Sequence, residues 1–324
     1  MRMKMNCALA GALLGWSALS FAAAPNDWLV ASVDGTCDAT DVDFSSTPEG
    51  FATCAFSNVM TTSDGGLSWQ VRSTDLQQSL LWAHAESADV LYAARRGLYR
   101  SADAGLTWTE LGNLSSFDNS IFDAHWFDQQ HISLLKGADL LYSDNAGNDW
   151  TVVYPAPFQV YFSKLHFPTS QAGFASGGIT TGAGSHGNVA RTVDGGLNWT
   201  LLTFPHSRIY AADFFDAQHG VVATQDNELY VTSDGADSWQ LLGPTPNNEL
   251  LMDIDHRDAQ HWYAVSFNGS IHETHDAGVT WETGYQDAQG RALIALSVKD
   301  GAVVAVGDGG QVLYEDRVMR NSFE

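Results

Sequence analysis

Positive charge is scarce in this 324-residue chain, where 15 Lys and Arg stand against 38 Asp and Glu for a formal net charge of −23. A surface so biased repels polyanions, which argues against nucleic acid and anionic lipid as partners. The acidity is not gathered into a tail, because no run of like charges occurs. Cysteine is almost missing, with three residues in all. Beyond the N-terminus there is no apolar run near the ~20 residues that a membrane-spanning helix needs. No segment sustains a 3.6-residue period, which argues against a helical solenoid. Metal-binding spacings such as HxH or HExxH are absent as well.

What is present begins with a leader. Arg2 and Lys4 precede an apolar stretch from Cys7 to Phe21, followed by small residues. This reads as a secretory signal peptide over residues 1–22, with cleavage after Ala24 as the alternative. Cys7 precedes the apolar stretch and is badly placed for a lipid anchor. Removing the leader takes away two basic residues and no acids, leaving 13 against 38. The mature chain, 25–324, is expected to be exported to the periplasm or beyond and to form a single domain. Its two cysteines, Cys37 and Cys54, are candidates for a disulfide in an oxidising compartment; two small buried thiols are the alternative.

One octamer recurs through the chain: TSDGGLSW (62–69), SADAGLTW (101–108), SDNAGNDW (143–150), TVDGGLNW (192–199), TSDGADSW (232–239) and THDAGVTW (274–281). Successive tryptophans are 39, 42, 49, 40 and 42 residues apart. Between them the same four short segments return, as in IYAADFF, GVVAT, ELYVTSD and SWQLLG. Each is rich in β-branched or aromatic residues and bounded by polar or glycine turns. Four antiparallel strands per ~40-residue repeat predict an all-β protein, a β-propeller. Residues 292–317 supply three more strands, ALIALSV, AVVAVG and QVLYED, with no octamer after them. The missing fourth strand is NDWLVAS (26–32), whose Trp28 is followed by alternating apolar residues. The prediction is seven four-stranded blades, the last closed by the N-terminal strand.

Within the octamer, aspartate suits a turn because it accepts N–H groups of its own loop, and glycine allows positive φ. The tryptophan can pack beside neighbouring strands. The structural set is therefore Asp64 with Trp69, Asp103 with Trp108, Asn145 with Trp150, Asp194 with Trp199, Asp234 with Trp239, and Asp276 with Trp281. Drift at Asn145 and Ala236 fits a turn better than six equivalent catalytic sites. These octamers resemble the Asp-box, S-x-D-x-G-x-[ST]-W, of the BNR-repeat propellers. The whole repeat, for example DFFDAQHGVVATQDNELYVTSDGADSW (213–239), is most similar to the photosystem II stability/assembly factors and their bacterial relatives. That resemblance implies a non-enzymatic scaffold that binds a membrane or envelope protein through an arginine-bearing patch. Arg95, Arg96, Arg208 and Arg291 are the nearest candidates.

The same superfamily contains sialidases and glucan hydrolases. Sialidase likeness would require an arginine before the first octamer, and residues 25–61 contain none. No catalytic residue, metal or cofactor is assigned, and a monomer is expected; a secreted glycan-acting or glycan-binding protein is the alternative function. His84, His125, His166 and His256 fall in first strands, where framework roles are expected. Asp41, Asp43, Asp253 and Asp255 share one face of first strands in blades one and six. They read as solvated channel carboxylates, with a bound cation as the sharper alternative. Recognition is expected on the face with the strand-two-to-three turns and the blade linkers. That face would include Lys136, the glycine-rich insertion ITTGAGSHG (179–187), and the linkers 154–158, 204–208, 243–250 and 284–291.

Overall fold

The structure, a computed structural model, describes residues 28–315 apart from 47, 113, 115–119, 182–183 and 300–301. The predicted leader lies outside the described residues. Two short strands come first, β1 (Trp28–Val30) and β2 (Ser32–Asp34). Blade one is β3 (Ala39–Ser46), β4 (Glu49–Cys54), β5 (Asn58–Thr62) and β6 (Ser68–Ser73). Blade two is β7 (Trp82–Ala85), β8 (Leu91–Ala94), β9 (Leu98–Ser101) and β10 (Thr109–Leu111). Blade three is β11 (Ile121–Trp126), β12 (Ile132–Lys136), β13 (Asp139–Ser143) and β14 (Thr151–Tyr154). Blade four is β15 (Lys164–His166), β16 (Gly173–Thr181), β17 (Gly184–Thr192) and β18 (Thr200–Leu202). Blade five is β19 (Ile209–Phe214), β20 (Gly220–Thr224), β21 (Glu228–Thr232) and β22 (Gln240–Pro244). Blade six is β23 (Leu251–His256), β24 (Trp262–Ser266), β25 (Ser270–Thr274) and β26 (Glu282–Gln286). Blade seven joins β27 (Leu293–Lys299), β28 (Ala302–Gly307) and β29 (Gln311–Glu315) to β1.

The fold is thus a seven-bladed propeller. Each first strand lies against the first strand of the next blade, and β27 lies against β3, so the ring closes around a channel. Second strands are sandwiched between neighbouring blades on both faces. Their sequences are accordingly near-continuous apolar runs, GVVAT, WYAVS and AVVAVG, buried along their whole length. Fourth strands form the rim and are mostly exposed, as in β10 and β18. Among the described residues, seven apolar clusters fill the seven junctions between adjacent blades. Phe51 and Val59 of blade one, for example, meet Ala83, Leu91 and Ala93 of blade two.

Closure follows the predicted route. Trp28, Leu29 and Val30 pair antiparallel with Glu315, Tyr314 and Leu313. The chain then does something the repeat pattern does not announce. Ser32–Asp34 runs parallel to Ser68–Gln70 on the rim of blade one, which becomes a five-stranded sheet. One extended segment therefore straps the last blade to the first. Cys37 and Cys54 are disulfide-bonded, pinning this strap to β4.

The octamers are the hairpins between third and fourth strands, and their geometry is repeated. The first-position hydroxyl donates to the aspartate and accepts the N–H of the fifth residue; Thr62 does so with Asp64 at 2.7 Å and Gly66 at 3.2 Å. The carboxylate also accepts the N–H and hydroxyl of the seventh residue, Ser68. The fourth residue donates its N–H to the carbonyl of the strand-one-to-two turn, from Gly65 to Pro48 and likewise through to Ala277 and Gln260. Trp108, Trp150, Trp199, Trp239 and Trp281 each pack into the junction with the preceding blade. Trp69 does the same across the seam with blade seven, and Trp28 takes the corresponding place between blades six and seven. In blade three the polarity is exchanged: Asn145 Nδ2 donates to Asp149 Oδ2 at 2.9 Å, so carboxylate and donor have swapped positions. In blade five Ala236 replaces glycine at φ 71°, and the buried Trp239 Nε1 has no partner. The other octamer indoles donate to the fifth-residue carbonyl at 3.0–3.1 Å.

Candidate functional site: the central channel and its mouth

The first strands line a channel cavity of about 590 Å³. Its aspartates are not simply solvated, as the sequence suggested. Asp41 Oδ2 accepts the N–H of Ala83, and Asp43 Oδ2 that of Ala85, both 2.9 Å away in blade two. Asp123 reaches Leu165 at 2.7 Å in the same way. Asp253 and Asp255 reach Leu296 and Val298 at 3.0 and 2.7 Å. Each carboxylate clips its own blade to the next by satisfying an N–H that the sheet leaves unpaired. The sequence signal was their recurrence about one blade apart, the same kind of evidence that exposed the octamers.

Inside this acidic ring sits Lys164. Its Nζ crosses from blade four to Asp253 Oδ1 of blade six at 2.8 Å. Burial works against its charge, yet the carboxylates of Asp253, Asp41 and Asp123 hold it protonated above the ordinary lysine range. Burial dominates for Asp41, pushing it up to about 8 despite Lys164 and the Ala83 N–H. Asp123 is raised by burial as well. Asp43 moves the other way: burial opposes its charge, but the hydrogen bond and charge of His84 and the charge of Lys299 prevail.

The histidines divide by neighbourhood. His84 bonds Asp43 at 2.9 Å, and His256 bonds Asp213 at 2.6 Å. His125 stacks on Phe167, with ring centroids 4.7 Å apart. Its pKa falls to about 4 through burial and the nearby His84 and His166.

At the channel mouth stands Arg208, the last residue of the linker into blade five. Its guanidinium lies over the Tyr210 ring, 4.7 Å from the centroid. Among the described residues the guanidinium forms no ion pair or hydrogen bond, and its Nε is buried without a partner. Phe122, Lys164 and Met252 share the same cavity wall. The linker end of the ring is established by hydrogen bonds between the strand-two-to-three turns and the blade linkers, such as Gln225 N–H to Arg208 O at 2.8 Å. The insertion at 179–187 is a continuation of the β16–β17 hairpin, paired in register as far as Thr181 and Gly184. This hairpin buttresses Arg208, whose N–H donates to Ser185 Oγ at 2.9 Å. At Gly178, φ 147°, an added Cβ would come 3.0 Å from Arg208 Cα, so only glycine permits the close approach.

The other candidate arginines do not converge with Arg208 in this cavity. Arg95 and Arg96 sit on the strand-two-to-three turn of blade two, half-buried and exposed respectively. Arg291 is held within its own linker by Asp287, at 2.9 Å, a pairing signalled by the Asp four residues before it. Lys136 is buried, with Nζ donating to the Arg96 carbonyl at 2.6 Å, so it supports that turn instead of facing a partner. Two aromatics stand out on the linker end: Phe158 is 92% exposed and Phe267 57%.

Neither a protein-family model nor a curated protein sequence matches the chain. Solved propellers do match. The YCF48 protein of Cyanidioschyzon merolae is 17% identical with a TM-score of 0.70, over 89% of this chain and 98% of that one. YCF48 bound to D1 peptide is 15% identical with a TM-score of 0.72, over 90% and 97%. An ancestral GH74 enzyme is 14% identical with a TM-score of 0.63; 88% of this chain matches 46% of that one. At such identities the likeness is one of fold.

Proposed function

We propose that this chain is an exported, non-enzymatic propeller that binds a membrane or envelope protein during its assembly. The observation that carries the reading is Arg208, a cation with no counter-ion among the described residues, held against Tyr210 at the mouth of a channel in a strongly acidic protein. A buttressed arginine held over Tyr210, on the same end of the ring as the exposed Phe158 and Phe267, suits an extended peptide segment bearing a carboxylate. Preorganisation by the β16–β17 hairpin keeps the ordering cost of binding low. YCF48, whose fold this chain shares, is known bound to D1 peptide, which supports a protein partner here. In a photosynthetic source, photosystem II assembly is the specific case. The test is affinity capture from the native envelope. Arg208→Glu is expected to abolish recovery of the partner, and Arg95→Glu/Arg96→Glu to reduce it. Full recovery by Arg208→Glu would contradict the assignment.

One observation favours a second, glycan-acting reading. Asp41, raised to about 8 inside the channel, has the protonation state a general acid needs at neutral pH. Hydrolysis of any member of a glycoside panel, lost in Asp41→Asn, would establish it.

A further inference from the structure

Among the described first-strand aspartates, Asp213 alone makes no inter-blade bond to a backbone N–H. Asp41, Asp43, Asp123, Asp253 and Asp255 all do. Asp213 is turned towards imidazoles. His256 Nδ1 lies 2.6 Å from its Oδ2, and His166 Nδ1 lies 3.8 Å from its Oδ1. Asp255 brings Oδ1 to 3.8 Å from His256 Nδ1, while its Oδ2 is fixed by the Val298 N–H. The clip role that accounts for the other five aspartates does not account for this one.

We infer that Asp213, Asp255 and His256 bind one divalent transition-metal ion of the zinc class in the channel wall between blades five and six. Their ligand atoms lie within 4.8 Å of one another. A tetrahedral ion with ligand bonds of about 2.0–2.1 Å sets its ligand atoms roughly 3.3 Å apart. The observed 2.6–3.8 Å separations bracket that value. The ion takes the place of the proton shared by His256 and Asp213. The Val298 N–H supplies the outer support that orients a ligating carboxylate. The fourth position falls to solvent. One imidazole with two carboxylates suits zinc, whereas calcium needs six to eight oxygens.

A surface cluster competes for the same chemistry. His261 and His275 meet edge to face with centroids 4.9 Å apart, and His261 bonds Asp258. The experiment therefore titrates metal-stripped protein with zinc by calorimetry and with cobalt by visible absorption. The expected result is one ion per chain and the intense bands of four-coordinate cobalt. Zinc affinity should fall at least tenfold in Asp213→Asn and in His256→Gln. It should be unchanged in His261→Ala/His275→Ala. Failure of the wild type to bind zinc stoichiometrically would overturn the inference. So would affinity that survives both channel substitutions, or that disappears in the surface variant. Should a channel variant fail to fold, the wild-type cobalt spectrum decides: weak six-coordinate bands, or none, reject the site.

Discussion

Trp28 donates its indole N–H to Glu273 Oε1 at 2.8 Å, joining the first described strand to blade six across 245 positions. The same indole meets the Tyr263 ring edge-on at 6.2 Å. Because β1 is the rim strand of blade seven, this contact fastens the seam of the ring. Trp28→Ala should cost about 3–5 kcal/mol, the usual loss for a buried tryptophan. Trp28→Phe, which keeps the packing and loses the donor, should cost about 1–2 kcal/mol. Urea unfolding measures both. A loss below about 1 kcal/mol for the alanine variant would mean that the seam is held elsewhere.

The exchanged octamer of blade three offers a double-mutant test. Asn145→Asp places a second carboxylate against Asp149 Oδ2 and removes the donor between them. It should destabilise by about 1–2 kcal/mol. Adding Asp149→Ser restores the carboxylate-and-hydroxyl arrangement of the Asp64–Ser68 and Asp234–Ser238 octamers and should recover most of the loss. Strictly additive effects would argue that positions three and seven are not coupled.

Stability should respond to pH in two opposite directions. In the octamer of blade two, the hydroxyl and N–H of Thr107 and the hydroxyl of Ser101 hold Asp103 at about 2. Asp234 and Asp276 are lowered by the hydroxyls of Ser238 and Thr280 in the same way. A folded pKa below the ordinary 3.8 gives stability that is complete above it and lost as pH falls towards 2. Asp41, raised by burial to about 8, contributes stability that is complete below 3.8 and lost as pH rises through 8. Melting temperature should therefore peak at weakly acidic pH. Asp41→Asn should flatten the decline between about pH 4 and 8 and leave the acid limb unchanged. An unaltered alkaline limb in that variant would contradict the role of Asp41.

Most of the fold was legible because it is written repeatedly. A tryptophan every ~40 residues, with period-two apolar segments between, admits few architectures. Trp28 could be placed because it begins a fourth strand that lacks its other three. The strap at Ser32–Asp34 was not legible, since three residues pairing parallel to a rim strand leave no periodic trace. The insertion at 179–187 looked like a loop because its glycines mimic turn composition; in the fold they allow close approach, as at Gly178. Asp41, Asp43, Asp253 and Asp255 were seen but misread, and Asp123 was passed over, because their N–H partners lie 42 or 43 residues away and meet them only once the ring has formed. Arg208 could be named from sequence. What distinguishes it from Arg291, a missing counter-ion, belongs to the packing.

On the proposed function, labour is divided: the octamer end holds the ring together and the linker end meets a partner. Site-specific photocrosslinking in the native envelope tests this directly. A photoreactive side chain at Phe158 or Phe267 samples the linker end, and one at Leu106 or Val279 samples the octamer end. The account predicts one discrete crosslinked protein from Phe158 or Phe267, lost on adding Arg208→Glu, and none from Leu106 or Val279. Crosslinks confined to the octamer end, or unaffected by Arg208→Glu, would contradict it.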